Sequence, residues 1–266
     1  MSRRIIYLWS VIAASLLISA CATTEEDPTK DWSPQRFYVE AKNAFAAGNK
    51  ETAIKYFEQL EARYPYGRYA EQAQLEVAYV YYKHEEPELA LSAANRFIRL
   101  HPTHANIDYV YYLKGLINFN NRGGTLGRML GIETDVADRD PRAAREAFNT
   151  FRELVNKFPR SRYAPDARKR AAYLLDSLAR HEIKVAQYYL KRKAHTATLN
   201  RCKIILEKYQ RTRSVEDALG IMAVTYGEIG LDDLRKDTLR VLSKNFPNSD
   251  YLKAGAADLA RTKEFS

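Results

Sequence analysis

From Phe37 onward, apolar residues return at intervals of three and four positions between charged ones, the period of amphipathic helices rather than strands. Ser33 before Pro34 supplies an N-cap with proline in the first turn, so the first helix starts there. A longer period lies over the short one. Small residues recur at Ala41, Ala78, Gly115, Ala186 and Ala223, at spacings of 37, 37, 71 and 37. Self-similarity at such a period marks stacked helical units, and a residue without bulk lets two helix backbones approach. Twenty-four residues after a small site comes a helix stop: Pro65, Pro102 and Pro247, with Gln210 in the place that follows Ala186. The tripeptides ending there are alike, as Arg-Tyr-Pro65, Leu-His-Pro102, Lys-Phe-Pro159, Lys-Tyr-Gln210 and Asn-Phe-Pro247.

These positions resemble the tetratricopeptide repeat (TPR), which has small residues near its positions 8 and 20, an apolar one near 24 and proline at 32. Ala41, Ala53, Phe57 and Pro65 fill those places in the first unit, with Gly48-Asn49 as the turn. Ala78, Ala90, Ala94 and Pro102 fill them in the second; the fifth keeps Ala223, Gly230, Leu239 and Pro247 but carries Arg235 at position 20. The expectation is an all-α TPR solenoid of five helix pairs with an insertion in repeat three and a C-terminal capping helix. Its repeats fall at about 34–66, 71–103, 108–160, 163–211 and 216–248, with the cap at 250–263. Pro102 to Pro159 is 57 residues, and the surplus is placed at 120–138, where Gly123, Gly124 and Gly127 argue for a loop. Pro159 to Gln210 is 51 residues; with no Gly or Pro from Ala167 through Lys193, that surplus lengthens one helix, Tyr163 to Lys191.

Composition agrees: 266 residues with 46% hydrophobic can bury a core, and Gly (11) and Pro (9) are scarce. The first 20 residues stand apart. Arg3 and Arg4 precede an apolar run from Ile5 to Ile18, shorter than the ~20 residues that span a bilayer, so residues 1–20 read as a signal peptide. Ile18-Ser19-Ala20-Cys21 resembles the lipobox of bacterial lipoproteins, which implies processing at Cys21 and covalent lipid (palmitate) on it. In that class an Asp after the cysteine favours inner-membrane retention, and Ala22 therefore points to the outer membrane. Residues 21–31 are polar and read as a lipidated flexible tether, with the TPR domain at 32–266. Cys202 is left without a partner, and one small apolar residue on a helix reads as core rather than nucleophile.

The formal charge is +9, unevenly spread: residues 160–213 hold 15 Lys or Arg against 4 Asp or Glu. Arg168-Lys169-Arg170 and Lys191-Arg192-Lys193 are its densest runs, read either as a basic belt that steers acidic partners or anionic head groups, or as a solvated helix face. Nucleic acid is discounted as a partner for an exported, lipidated chain. No nucleotide-binding loop, zinc spacing or catalytic signature interrupts the repeats, so neither metal nor cofactor beyond the lipid is expected, and no enzyme activity. His101 and His104 flank Pro102 and read as hydrogen-bonded structure.

Three segments go past generic repeat character: Arg96-Phe-Ile-Arg-Leu-His-Pro-Thr-His-Ala-Asn-Ile-Asp-Tyr-Val110, Tyr64-Pro-Tyr-Gly-Arg-Tyr-Ala70, and Asp138-Arg-Asp-Pro141 before Ala-Ala-Arg-Glu-Ala-Phe148. Together they resemble the BamD/ComL family of outer-membrane assembly lipoproteins, over most of the mature chain. The resemblance implies a non-enzymatic, lipid-anchored scaffold on the periplasmic face of the outer membrane. Its implied partners are the barrel protein BamA, other lipoproteins of the assembly machinery, and unfolded outer-membrane proteins. An Asn-Arg motif in the second helix of repeat four contacts BamA in that family; Asn200-Arg201 matches it, although Cys202-Lys203 departs from the Val-Glu-like pair that follows there. The alternative is an envelope TPR lipoprotein that organises peptidoglycan or competence machinery.

In TPR proteins the first helix of each pair lines the concave face through positions 2, 5, 9 and 12. The first three repeats place Tyr38, Phe45, Leu75, Tyr79, Tyr82, Tyr109, Tyr112, Leu116 and Phe119 there. With positions 8, 20, 24 and 27 already supplying a core, these residues are expected to line a groove for peptide segments with aromatic side chains.

Overall fold

The computed structural model describes residues 27–120 and 141–253, together with Ala257, Ala260 and Arg261. Among the described residues α-helices follow one another as α1 (Pro34–Ala46), α2 (Lys50–Arg63), α3 (Arg68–Lys83), α4 (Pro87–Leu100), α5 (Ile107–Asn120), α6 (Pro141–Lys157), α7 (Ala164–Lys191), α8 (His195–Lys208), α9 (Ser214–Glu228) and α10 (Asp232–Asn245), before a 3-10 turn at Asp250–Leu252. No strand occurs among the described residues. Each helix packs on its chain neighbours, and short turns make those neighbours antiparallel except between α5 and α6, where residues 121–140 intervene. The result is the expected all-α solenoid of five pairs. The expected insertion lies outside the described residues, apart from Asn120 at the end of α5.

Local chemistry sets the helix ends. The Ser33 hydroxyl accepts from the Arg36 amide at 3.2 Å with Pro34 in the first turn, and Asn49 Oδ1 accepts from the Thr52 amide at 3.1 Å. The turn between first and second helix passes through a left-handed residue at Gly48, Glu85, Lys193 and Gly230, so the 37-residue period reappears in the backbone. Two of the four are glycines; Glu85 and Lys193 hold that conformation against the steric cost of a Cβ.

The recurring small residues sit where paired helices meet. Ala41, Ala53, Ala78, Ala90, Ala147 and Ala186 are fully buried. At Gly115 the partner is the ring of Phe151 on α6, which a Cβ would overlap. The fifth pair departs as its sequence does: Arg235 is exposed and lays its stem on Gly227, so the small residue has moved to the first helix. Leu60, Phe97, Leu154, Ile205 and Leu242, one from each second helix, are all fully buried.

Helix α7 holds the surplus of repeat four. It packs on α6 and on α8, which Arg201 joins to Glu182 in its second half. The 14-residue surplus is close to four turns, and burial runs on through it: Ala164 and Ala167 are buried at the start of the helix, and Ile183, Ala186 and Leu190 towards its far end. The last two repeats are thereby set about 21 Å along the α7 axis from the first three.

Both ends of the stack are covered. Of the span 21–31 expected as a tether, residues 27–31 form a docked turn. Asp27 accepts from the Thr29 hydroxyl at 2.6 Å, Arg63 on α2 pairs with Asp27 and donates to the Thr29 carbonyl, and Thr29 is buried. Trp32 follows, packed on Phe37 and Tyr56 with Arg36 4.8 Å from its ring. Polar composition concealed this, since the short side chains are used up in local bonds. At the other end Tyr251 lies on Gly220, where a Cβ would overlap its ring, and its hydroxyl donates to Asp217 at 3.1 Å. Ala257, Ala260 and Arg261 are helical, with Ala260 fully buried.

Gly115→Ala forces the Phe151 ring aside and is expected to cost about 1–3 kcal/mol of stability. Phe151→Leu in the same chain should restore part of it, as read from urea unfolding; an unchanged midpoint for Gly115→Ala would refute the close approach. Lys193→Gly is expected to raise the midpoint, by about 1 kcal/mol, by removing the left-handed strain.

Candidate peptide groove and partner surface

The first helices of successive pairs touch one another, α1 on α3, α3 on α5, and α7 on α9. Successive second helices are instead spanned by long side chains, as in the ion pair of Arg96 on α4 with Glu61 on α2. A layer in mutual contact is the inner wall of a curved stack, and that wall carries the expected groove residues.

All nine are half-buried, none exposed. Phe45 on α1 packs edge-on against Tyr79 on α3 at 5.8 Å, Tyr79 lies tilted against Tyr82 of the same helix at 6.5 Å, and Phe119 on α5 packs edge-on against the core residue Phe151 on α6 at 6.3 Å. Leu75 and Leu116 lean on the main core. Tyr109 is enclosed among Tyr79, Tyr82 and Tyr163, and burial pushes its hydroxyl well above the usual phenol range.

Two carboxylates organise the hydroxyls. Glu76 on α3 accepts from Tyr38 at 3.3 Å and from Lys42 at 2.9 Å, joining α1 to α3. Desolvation, then the Glu76 charge, pushes Tyr38 up to about 12. Asp166 on α7 accepts from Tyr112 at 2.7 Å and from Arg170 at 2.6 Å. Burial would raise the Asp166 pKa, but these hydrogen bonds outweigh it and hold the group below its ordinary value. Tyr38, Tyr109 and Tyr112 are therefore neutral, several hydroxyls are engaged, and the wall offers ring faces and edges: an apolar, adhesive surface rather than a reactive one.

Three aromatic residues of this wall lay outside the nine. Tyr69 packs on Tyr38 at 5.8 Å, Tyr163 stacks on Tyr112 at 4.8 Å and 19°, and Tyr173 meets Phe119 at 6.1 Å. A signal for them exists in the sequence. Arg68-Tyr69-Ala70 recurs as Arg162-Tyr163-Ala164, each arginine 4.8 Å from its tyrosine ring, and Tyr173 follows Tyr163 by ten residues as Tyr79 follows Tyr69. The start of α7 is thus a first helix in its own right, and the surplus lies beyond it.

Repeat four holds the matched Asn-Arg motif. Asn200 is exposed, whereas Arg201 donates to Glu182 of α7 at 3.0 Å. Glu182 is only 5% exposed and lies in the surplus stretch, without counterpart in other repeats. Arg201 is therefore part of the fold as well as of the surface. Cys202 behind it is fully buried, and desolvation pushes its thiol up to about 12, which excludes a nucleophile at neutral pH.

The two basic runs do not make one belt. They sit at opposite ends of α7, 23 residues or about 35 Å apart, several Debye lengths at physiological salt. Arg168 and Lys169 are exposed, but Arg170 is bound to Asp166 and lies 4.8 Å from the Phe119 ring. At the far end Lys191, Arg192 and Lys193 are exposed, with Arg192 over Tyr188 at 4.0 Å. His101 bonds to Gln74 at 2.8 Å and His104 takes the Asn106 amide at 3.0 Å, both against Phe97. Among the described residues no group of three or more His, Cys, Asp or Glu could hold a metal ion.

A family model described as "YfiO: Outer membrane lipoprotein" matches residues 30–242. The chain belongs to this family. It is 45% identical over 246 residues to the outer membrane protein assembly factor BamD of Neisseria meningitidis serogroup A, covering 91% of each chain. It is 35% identical over 238 residues to BamD of Vibrio cholerae, covering 90% of this chain and 97% of the relative. Among solved structures it is similar to a thermophilic TPR protein of Thermus thermophilus, with 15% identity, a TM-score of 0.35, and coverage of 85% and 98%. No helix among the described residues is long and apolar enough to cross a membrane. Cys21 lies outside the described residues.

Replacing Arg201 by Ala strands the Glu182 carboxylate and is expected to destabilise the protein by about 1–3 kcal/mol, less than a fully buried pair because Arg201 is partly exposed. Glu182→Gln in the same chain should recover most of the loss. Full additivity of the two in urea unfolding would disprove the coupling.

Proposed function

We propose that the protein is a non-enzymatic, lipid-anchored scaffold of outer-membrane protein assembly, held at the periplasmic face of the outer membrane through Cys21. The observation that carries this reading is the family match over residues 30–242, together with relatives named as assembly factors that align along nearly their whole length. On this reading the C-terminal repeats hold BamA, with Asn200 and Arg201 in the contact, and other lipoproteins of the machinery join the same scaffold. The inner wall of the first three repeats receives unfolded outer-membrane protein segments. Support for the second role is chemical: neutral, half-buried tyrosines and phenylalanines present ring surface at small entropic cost, which suits aromatic-bearing peptides. A pull-down of the lipidated protein from envelope extract tests the first role, with recovery of BamA expected. Recovery of peptidoglycan enzymes in its place would reject it.

For the groove, Tyr79→Ala with Tyr82→Ala is expected to reduce photocrosslinking to a C-terminal peptide of a barrel protein by roughly tenfold. Helical circular dichroism should persist, because neither ring is in the fully buried set. Undiminished crosslinking in the folded variant would dispose of this site.

A further inference from the structure

The turns that lead from a second helix to the next first helix all lie at one edge of an antiparallel stack. In the first three repeats they form a single row, ahead of the offset at α7. Segments 63–68, 99–106 and 157–163 hold six Lys or Arg and no acid, and the first helical turns that follow them add Arg168 and Lys169 together with Glu71, Asp108 and Asp166. At the opposite edge, segments 46–51 and 83–88 hold two Lys and four Glu. Arg68, Arg99, Arg160, Arg162, Arg168 and Lys169 are exposed.

Two large apolar side chains stand among these cations. Tyr66, in the turn between α2 and α3, is 91% exposed, and Leu100, at the end of α4, is 52% exposed. A cationic rim with a projecting tyrosine and leucine suits an interface in which charge meets head groups while the tyrosine ring and the leucine reach the acyl boundary.

The chain itself says which surface this edge meets. Arg63, at the end of α2, pins Asp27 and Thr29, so the N-terminal segment leaves the fold at this same edge. Asp27 is six residues along from Cys21, a reach of about 20 Å. A lipid on Cys21 therefore holds the basic row near the bilayer.

We infer that the edge formed by the turns after α2, α4 and α6 is a second membrane contact, which lies against anionic phospholipid head groups and fixes how the anchored solenoid is oriented. This rests on the anchor reading for its geometry, but not for its chemistry.

The test is amide hydrogen exchange of the full chain bound to vesicles of phosphatidylcholine alone or mixed with phosphatidylglycerol. Exchange in turns 64–67 and 158–163 is expected to slow about tenfold in the anionic vesicles, given the attraction each surface cation contributes, and to recover in high salt. The slowing should vanish in Arg99→Glu/Arg160→Glu/Arg168→Glu/Lys169→Glu, shrink in Tyr66→Ser, and survive Lys50→Glu/Lys83→Glu at the other edge. Equal exchange in both bilayers, or slowing that persists in the quadruple variant, overturns the inference. Should the chain fail to float with phosphatidylcholine, the anchor reading fails; flotation with phosphatidylglycerol vesicles then decides the basic edge separately, and its absence overturns it.

Discussion

Close approach of paired helices governs the rest of the structure. Where α1 meets α2 and α3 meets α4, the seam is alanine on both sides, with Ala41 and Ala53, and Ala78 and Ala90, fully buried. The third pair reaches the same end differently: Gly115 has no side chain, and the Phe151 ring occupies the space. Backbones that close together admit bulk at the seam only where the facing residue gives up its own, as Gly115 does for Phe151. Bulk goes to the layer between pairs, where Leu60, Phe97, Leu154, Ile205 and Leu242 fill the core, and to the inner wall, where tyrosines pack across neighbouring first helices. The aromatic wall is a consequence of the slim seam.

The pairing was legible in the sequence because it is written with residues whose backbone effects are strong and local. Proline ends a helix, and alanine at a fixed offset needs no tertiary context to be noticed. The length of α7 was legible too, since a surplus without Gly or Pro continues as helix. What stayed hidden depends on three-dimensional distance. Counting charge along residues 160–213 merges two runs that a 1.5 Å rise per residue sets far apart. A buried acid such as Glu182 looks like any surface glutamate until the partner helix is in place. Tyr163 and Tyr173 escaped because the repeat was aligned on Ala186, at the far end of α7, whereas its first-helix motif stands at the near end.

The length of α7 has a mechanical meaning. The helix is buried from Ala164 at its start to Leu190 at its end, so stacking continues through the surplus instead of giving way to a separate domain. It resumes about 21 Å along the helix axis, which takes Arg201 and the last two pairs out of line with the aromatic wall of the first three. On the proposed reading, this offset lets one rigid stack hold two large partners at once without their overlapping. Arg201 fits that arrangement: its link to Glu182 ties the surface of α8 proposed for the partner to the very stretch of α7 that creates the offset. A partner acid that competed for Arg201 would leave Glu182 buried without its cation, so docking there is energetically connected to the integrity of the joint between the two parts of the solenoid.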